Sequence, residues 1–340
     1  MKVLIFAFSR QGYALMKKIE EKWKEPEIVC KVKCGSMADI SESKSVRECL
    51  GEYFDNTDAI VFIGAAGIAV RSIAPFIKHK SVDPAVVVID ETGKFCISLL
   101  SGHMGGGNEI AAKIASMIGA VPVITTATDR EGKFAVDDFA RKNNMAVLNW
   151  DMAKKISAYI LENKKVGIIS DFDIEGKMPW ELFMADENEN SPVINISYRA
   201  DEKGDNVLQI VPRIITAGIG CRKGVTEEEI EKAVKKCFSE NNIRLEALSE
   251  IASIDIKKDE KGIRKFSDKM EADFVTYSAE DLKSVKGEFS RSEFVESVTG
   301  VSNVCERSAA ARGGKLISHK KVYGRVTVAL AEKKERYCFE

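Results

Sequence analysis

Short runs of β-branched and apolar residues recur along the first third of the chain, at Val3 to Phe8, Ala59 to Ile63, Ala85 to Ile89, Cys96 to Leu100 and Val121 to Ile124. Runs of this length separated by helical patterns predict α/β units. Between the last two runs, Ile110, Ala111, Ile114, Ala115 and Ile118 recur at helical spacing and stop at Gly119, with Asn108 placed to cap the helix start. From 131 to 212 the periodicity weakens, leaving one strand candidate at Val166 to Ile169 and a polar stretch, Asp186 to Ser191, that reads as an exposed loop. At Arg213 a new pattern begins. The run IITAGIG enters the loop CRKG, and Thr226 with Glu229 forms a capping box ahead of the apolar face Ile230, Ala233, Val234, Cys237 and Phe238. A strand at Ile251 to Ile256, a helix near Gly262 to Lys269 and a closing strand at Arg325 to Ala331 follow. The reading is a multi-domain α/β protein: an open α/β domain over 1–130, a small linking domain over 131–212 and a compact α/β domain over 213–340.

Charge removes several partners from consideration. With 51 Lys+Arg against 52 Asp+Glu the formal net charge is -1, so the chain has no global basic field for nucleic acid or an anionic membrane, and any anion site must be local. No stretch reaches the roughly 18 apolar residues of a membrane span, and the six-residue apolar run near Met1 is too short for a signal segment. Eight cysteines without a CxxC pair or finger spacing read as reduced thiols, which points to the cytoplasm.

Chemistry concentrates in glycine-rich turns. The densest is Ser101-Gly102-His103-Met104-Gly105-Gly106-Gly107-Asn108, set between a strand and a helix. Unpaired N–H groups at a helix start receive anions or a developing oxyanion, and an imidazole beside them takes or gives a proton near neutral pH. A tight turn with a surface histidine is the simpler alternative. Gly64-Ala65-Ala66-Gly67 enters a helix carrying Arg71, and Thr125-Thr126-Ala127-Thr128-Asp129 closes a strand; each reads equally well as a plain turn. Gly218-Ile219-Gly220-Cys221-Arg222-Lys223-Gly224 joins glycines to two cations and is the best carboxylate-binding candidate. Cys221 there is either a reactive thiol at a helix start or a packing residue.

Absences narrow the reaction. The chain holds no Walker loop, no GxGxxG fingerprint, no GxSxG elbow and no HExxH pair, and its three histidines have no zinc spacing. A protein-bound metal is not expected. Hydrolysis by direct attack of an activated water is the simplest chemistry that fits.

Several long blocks resemble the cobalamin synthesis G (CbiG) family. GAAGIAVRSIAPFIKHKSVDPAVVVIDETGKFCISLLSGHMGGGNEIAAKIA with TTATD is similar to its N-terminal domain; GIGCRKGVTEEEIEKAV, IASIDIKKDEKGI, GVSNVCERSAA and TVALA are similar to its C-terminal domain. The resemblance implies a cobalt-precorrin-5A hydrolase of anaerobic cobalamin biosynthesis, which uses water to open a δ-lactone and releases C20 with its methyl group as acetaldehyde, giving cobalt-precorrin-5B. Cobalt then belongs to the substrate, no cofactor is needed, and contact with neighbouring pathway enzymes would be transient. On that basis His103 is the base, Asp129 or Asp90 orients it, and the N–H groups of Gly105 to Gly107 receive the charge. Gly64, Gly67, Arg71, Ser101, Gly102, Asn108, Thr126, Gly218, Gly220, Cys221, Arg222, Lys223 and Glu306 are the expected substrate contacts, with Lys257 in a structural ion pair. A non-catalytic tetrapyrrole carrier is the alternative within the pathway, and a nucleotide-binding α/β enzyme lies outside it.

Overall fold

A computed structural model describes residues 1–24, 27–33, 45–79, 82–102, 105–125, 133–186, 191–201 and 204–339, with backbone alone for 27–33 and 294. The chain divides into two compact units, Met1–Asp138 and Phe139–Glu340.

The first unit is built on a six-stranded sheet from β1 (Lys2–Ala7), β2 (Glu27–Lys33), β3 (Ala59–Ile63), β4 (Ala85–Ile89), β5 (Phe95–Leu100) and β6 (Val121–Val123), in the order β2-β1-β3-β4-β5-β6. Helices α1 (Arg10–Lys22), α2 (Val46–Tyr53), α3 (Ala66–Ile73) and α4 (Gly107–Ile118) cover it. Alternation along β1 explains the continuous apolar runs. Val3, Ile5 and Ala7 pack with Met16 and Ile19 of α1 and Ile114 of α4, while Leu4 and Phe6 pack with Leu50 of α2 and Ile73 of α3. Both faces of the sheet are buried, as parallel strands require. Ser9 caps α1 by accepting from the Gly12 N–H, and α4 stops at Gly119 in the left-handed conformation, as the spacing predicted. Asn108 does not cap α4. The helix starts at Gly107 with Gly106 as its left-handed first cap, and Asn108 is buried inside the first turn.

Strand direction decides which loops meet. β5 runs antiparallel to β4, pairing Val86 with Leu100 and Ile89 with Cys96, whereas β1, β3 and β4 are mutually parallel. The loop after β5 therefore sits at the opposite edge of the sheet from the loops after β3 and β4. A strand of six residues separates the edges by roughly 20 Å.

The second unit begins within α5 (Val136–Lys142) and contains two five-stranded sheets. One is formed by β7 (Met145–Val147), β8 (Val166–Ser170), β10 (Leu182–Met184), β11 (Val193–Ile196) and β12 (Val207–Pro212), with α6 (Trp150–Leu161) packed on it. Its order is β10-β8-β11-β12-β7. The short β9 (Ile174–Glu175) pairs instead with β18 (Tyr337–Cys338). The other sheet is formed by β13 (Ile215–Cys221), β14 (Leu248–Ile254), β15 (Asp273–Tyr277), β16 (Lys315–Tyr323) and β17 (Val326–Glu332), in the order β15-β14-β13-β17-β16. Helices α7 (Glu227–Glu240) and α8 (Lys261–Met270) pack together, and α7 packs on β17; α9 (Ala279–Ser284), α10 (Glu293–Thr299) and α11 (Cys305–Ala310) follow β15. The capping box of Thr226 and Glu229 forms as expected.

Helix α11 lies directly on β13. A Cβ on Gly218 would overlap the Cys305 carbonyl oxygen and crowd Ala309, so only glycine permits this approach. The Cys305 Sγ donates to the Gly218 carbonyl at 2.9 Å and the Ser308 Oγ to the Ala252 carbonyl at 3.2 Å. Gly218→Ala is expected to lower stability by about 1–3 kcal/mol or more through overpacking, read by urea or thermal denaturation. An unchanged midpoint would show that the helix is free to move away.

Candidate functional site

In the first unit the sequence candidates fall at two separate places. Gly64 and Gly67 lie at the carboxyl end of β3, and the Arg71 side chain folds back toward Gly67. Ser9 and Gly12, which sequence reasoning overlooked, start α1 beside them, with Gly12 packed against Ile63. This is the point where strand order reverses, between β1 and β3. Asp90 closes the turn after β4 by accepting from the N–H groups of Thr92 and Phe95 and from the Thr92 hydroxyl. Burial opposes its charge, but these bonds outweigh it and hold the carboxyl below its usual range.

At the other edge lies the loop entered by Ser101 and Gly102. His103, Asp129 and Thr126 fall outside the described residues. Asp90 is a strand's length from Gly102 and occupied by its own turn. The glycines here serve close packing of the loop on itself. A Cβ on Gly105 would meet Ser101, one on Gly107 would meet the Leu100 and Ser101 carbonyls, and one on Gly102 would meet the Asn108 side chain. The Gly107 N–H donates to the Ser101 carbonyl, which removes it from the expected oxyanion cradle, and the Asn108 N–H donates to that of Gly102. Ser101 has φ +54° and a buried hydroxyl with no hydrogen-bond partner.

The second unit contains a cleft of about 630 Å³ beside β13. Gly220, Cys221, Arg222 and Lys223 line it, together with Ser253 and Ile254 at the end of β14, Ile256 and Lys257 just after it, α10 residues Val295 and Val298, Asn303 and Cys305, and Lys320, Val322 and Arg325. Among these described lining residues are five cations and no carboxylate. Lys257 pairs with Glu260 at 3.4 Å, and Arg325 lies 3.6 Å from Glu229. Arg222, Lys223 and Lys320 have no acidic partner among the described residues. Ile256, Val298 and Val322 are 62%, 63% and 66% exposed, unusually open for large aliphatic residues, and all three face this one cleft.

The cations must act through their side chains. The start of α7 is already capped, carries Glu227, Glu228 and Glu229 in its first turn, and the Gly224 N–H donates to Glu260. A helix-terminus anion site in the CRKG loop is thus ruled out by its own neighbours. Gly218 belongs to the packing of α11, whereas Gly220 donates no side chain and leaves room for Thr327, whose hydroxyl bonds its carbonyl at 3.1 Å. Burial raises the Cys221 thiol above its ordinary value, against the pull of Lys257, so the group is no activated thiolate.

Three family models match successive parts of the chain: cobalamin synthesis G N-terminal over 48–129, cobalamin biosynthesis central region over 134–212, and cobalamin synthesis G C-terminus over 215–331. The cobalt-precorrin-5A hydrolase of Priestia megaterium is 30% identical over 311 residues, covering 85% of this chain and 82% of that protein. The cobalt-precorrin-5A hydrolase of Salmonella typhimurium is 35% identical over 267 residues, covering 74% and 75%. The chain belongs to the cobalamin synthesis G family. A solved structure of a cobalamin biosynthesis protein G homolog from Sulfolobus solfataricus covers 98% of this chain and 97% of that one at 25% identity, with a TM-score of 0.43.

In this family member Glu306 is not a substrate contact, contrary to the expectation from sequence. It is 0% exposed and accepts from the Ser290 N–H and hydroxyl, each at 2.9 Å, and from the Lys320 N–H at 2.8 Å. The last bond has a clear origin. In β16 the pairing steps from Ser318 opposite Leu330 to Lys321 opposite Val328, a bulge that withdraws the Lys320 N–H from the ladder, and Glu306 satisfies it. The carboxylate thereby fixes Lys320 at the cleft. Burial opposes its charge, but the bonds from Lys320 and Ser290 prevail and its pKa falls below the ordinary 4.5. A depressed carboxyl stabilises the fold fully above its unfolded pKa and loses that contribution as pH falls through the folded value. Glu306→Gln should cost about 1–3 kcal/mol at neutral pH. The loss should shrink below pH 4, as measured by urea denaturation across pH; a pH-independent difference would contradict the assignment.

Proposed function

We infer that this chain is a cobalt-precorrin-5A hydrolase of cobalamin biosynthesis, acting on a cobalt-loaded tetrapyrrole rather than on nucleic acid or membrane. Its two hydrolase relatives, each aligned over most of both chains, support the activity. The observation that carries the structural side is the cleft of the second unit, with its exposed aliphatic walls and cations unopposed by any lining carboxylate. A tetrapyrrole intermediate has a broad apolar ring bearing acetate and propionate groups at its rim. Arg222, Lys223 and Lys320 are placed to take such carboxylates, and Ile256, Val298 and Val322 to cover the ring. The cobalt ion travels with the substrate.

Water opens the δ-lactone: its oxygen bonds to the acyl carbon, the acyl–oxygen bond breaks, and an acetate side chain results. The C20 oxygen freed by that opening then loses its proton and forms a carbonyl, the carbon–carbon bond from C20 to the macrocycle breaks with its electron pair taken by the macrocycle, which is protonated, and C20 leaves with its methyl group as acetaldehyde. His103 is the proposed base for that water, and the proton it takes is the one available to the macrocycle when C20 departs. No helix among the described residues is long and apolar enough to cross a membrane, and a cytoplasmic setting suits the reduced thiols of Cys96 and Cys237.

Anaerobic incubation with enzymatically prepared cobalt-precorrin-5A should release one acetaldehyde per substrate, trapped by a carbonyl reagent. Corrinoid bound without acetaldehyde would sink the hydrolase reading in favour of a carrier. Arg222→Ala and Lys320→Ala should each raise KM about 10-fold while leaving kcat within a few-fold, since a hydrogen bond to a charged group contributes about 1.5–3 kcal/mol. His103→Ala should instead lower kcat by about 10²-fold or more with KM little changed. Near-normal turnover in that variant would remove His103 from the mechanism.

A further inference from the structure

The loop Arg222-Lys223-Gly224 brings two cations to the cleft and is held at three consecutive backbone positions. The Arg222 N–H donates to the Arg325 carbonyl at 3.1 Å, the Arg325 guanidinium donates to the Lys223 carbonyl at 3.0 Å, and the Gly224 N–H donates to Glu260 Oε1 at 2.9 Å. Two of these ties come from the turn between β16 and β17. The third comes from Glu260, which stands at the cap position of α8.

Two glycines put Glu260 there. A Cβ on Gly262 would overlap the Val225 carbonyl oxygen, so only glycine lets the first turn of α8 close on the backbone just after the loop. Gly224 has φ +73°, the left-handed conformation in which its N–H meets the carboxylate. The other carboxylate oxygen, Oε2, lies 3.4 Å from Lys257 Nζ, and the Glu260 side chain is only 11% exposed. One acid therefore joins the cation loop to the segment after β14.

Coulomb's law alone gives Glu260 the wrong sign for this neighbourhood. A carboxylate tied to the loop of Arg222 and Lys223 repels a polyanion, and it occupies the Lys257 ammonium that could otherwise serve one. Its favourable contribution is geometric. A hydrogen bond to an ionised acceptor is among the stronger ties a loop can have, and this one fixes the backbone from which both cations project.

We propose that Glu260 is a positioning residue of the cleft, an acid that strengthens the binding of a carboxylate-bearing tetrapyrrole by holding the backbone of the Arg222 and Lys223 loop. The proposal rests on the reading that the cleft binds the hydrolase substrate, and adds a residue outside the cleft lining that sets its geometry.

The test uses the full chain and uroporphyrin, an octacarboxylate tetrapyrrole, titrated by fluorescence quenching, with urea midpoints measured in parallel. Glu260→Ala is expected to raise the dissociation constant about 5-fold or more. Glu260→Gln keeps an oxygen for the Gly224 N–H while removing the charge, and should bind within about twofold of the wild-type chain or tighter. Glu260→Asp keeps the charge but is a methylene too short for the bond, and should weaken binding as Glu260→Ala does; it replaces that variant if the alanine chain fails to fold. With cobalt-precorrin-5A the loss in Glu260→Ala should fall on KM, with kcat within a few-fold. A purely structural cap would shift the urea midpoint and leave the dissociation constant of the folded protein unchanged, whereas a purely electrostatic role would tighten binding in Glu260→Ala. Either result overturns the proposal, as does Glu260→Gln binding as weakly as Glu260→Ala. Uroporphyrin binding unaffected by Arg222→Ala/Lys320→Ala would strike the cleft reading itself. Failure of acetaldehyde release with cleft binding intact would strike the hydrolase reading alone.

Discussion

The contact of α11 with β13 at Gly218 is the constraint on which the rest of the second unit depends. Because residue 218 has no side chain, the Cys305 carbonyl reaches the strand backbone, and Cys305 and Ser308 spend their side-chain donors on carbonyls of β13 and β14. The helix is thereby fixed in height and register. From that position Asn303 turns its amide toward Ser290 and accepts from the Glu306 N–H, and Glu306 reaches the bulge in β16. One close approach thus sets the loop before α10, the strand bearing Lys320 and the cleft between them. A buried anion satisfied by three donors costs little to keep and much to break, so these walls behave as one element.

The same arrangement explains how a nearly neutral chain can hold a polyanion. Several cations of the second unit are committed to acids: Arg312 and Lys333 to the buried Glu250, Lys269 to Glu227 and Glu231, Lys321 to Glu240. At the cleft, the loop after β13 and the strand β16 deliver Arg222, Lys223 and Lys320 with no matching acid among the described residues. Desolvation beside Ile256, Val298 and Val322 lowers the local dielectric and strengthens any carboxylate contact made there. The apolar and basic groups therefore support one another.

Local signals made much of the scaffold legible. The apolar runs at Ala59–Ile63 and Ala85–Ile89, the Thr226 capping box and the stop at Gly119 each express short-range physics, and each forms as read. The small strands of the sheet containing β7 and β12 escaped notice, because strands of three or four residues such as β10 and β11 carry too little alternation to detect. Long-range facts were also hidden. That β5 runs antiparallel to β4, and so separates Asp90 from the glycine loop, is a property of topology and not of spacing. Glu306 and Gly218 stood out in sequence for a structural reason, the seating of α11. Arg222 and Lys223 were visible as cations among glycines. Lys320 and Arg325 were not, although the cluster HKKVYGR, with aliphatic Val322 between cations and a glycine turn behind it, carried a signal of a basic and apolar edge.

The central claim is that the cleft beside β13 holds the tetrapyrrole, and backbone hydrogen exchange of the full chain with and without bound cobalt uroporphyrin tests it most directly. Protection is predicted over 219–224, 253–257, 295–305 and 320–325, the four segments that build the cleft. Unchanged exchange in those segments, with protection confined to other parts of the chain, would contradict the account.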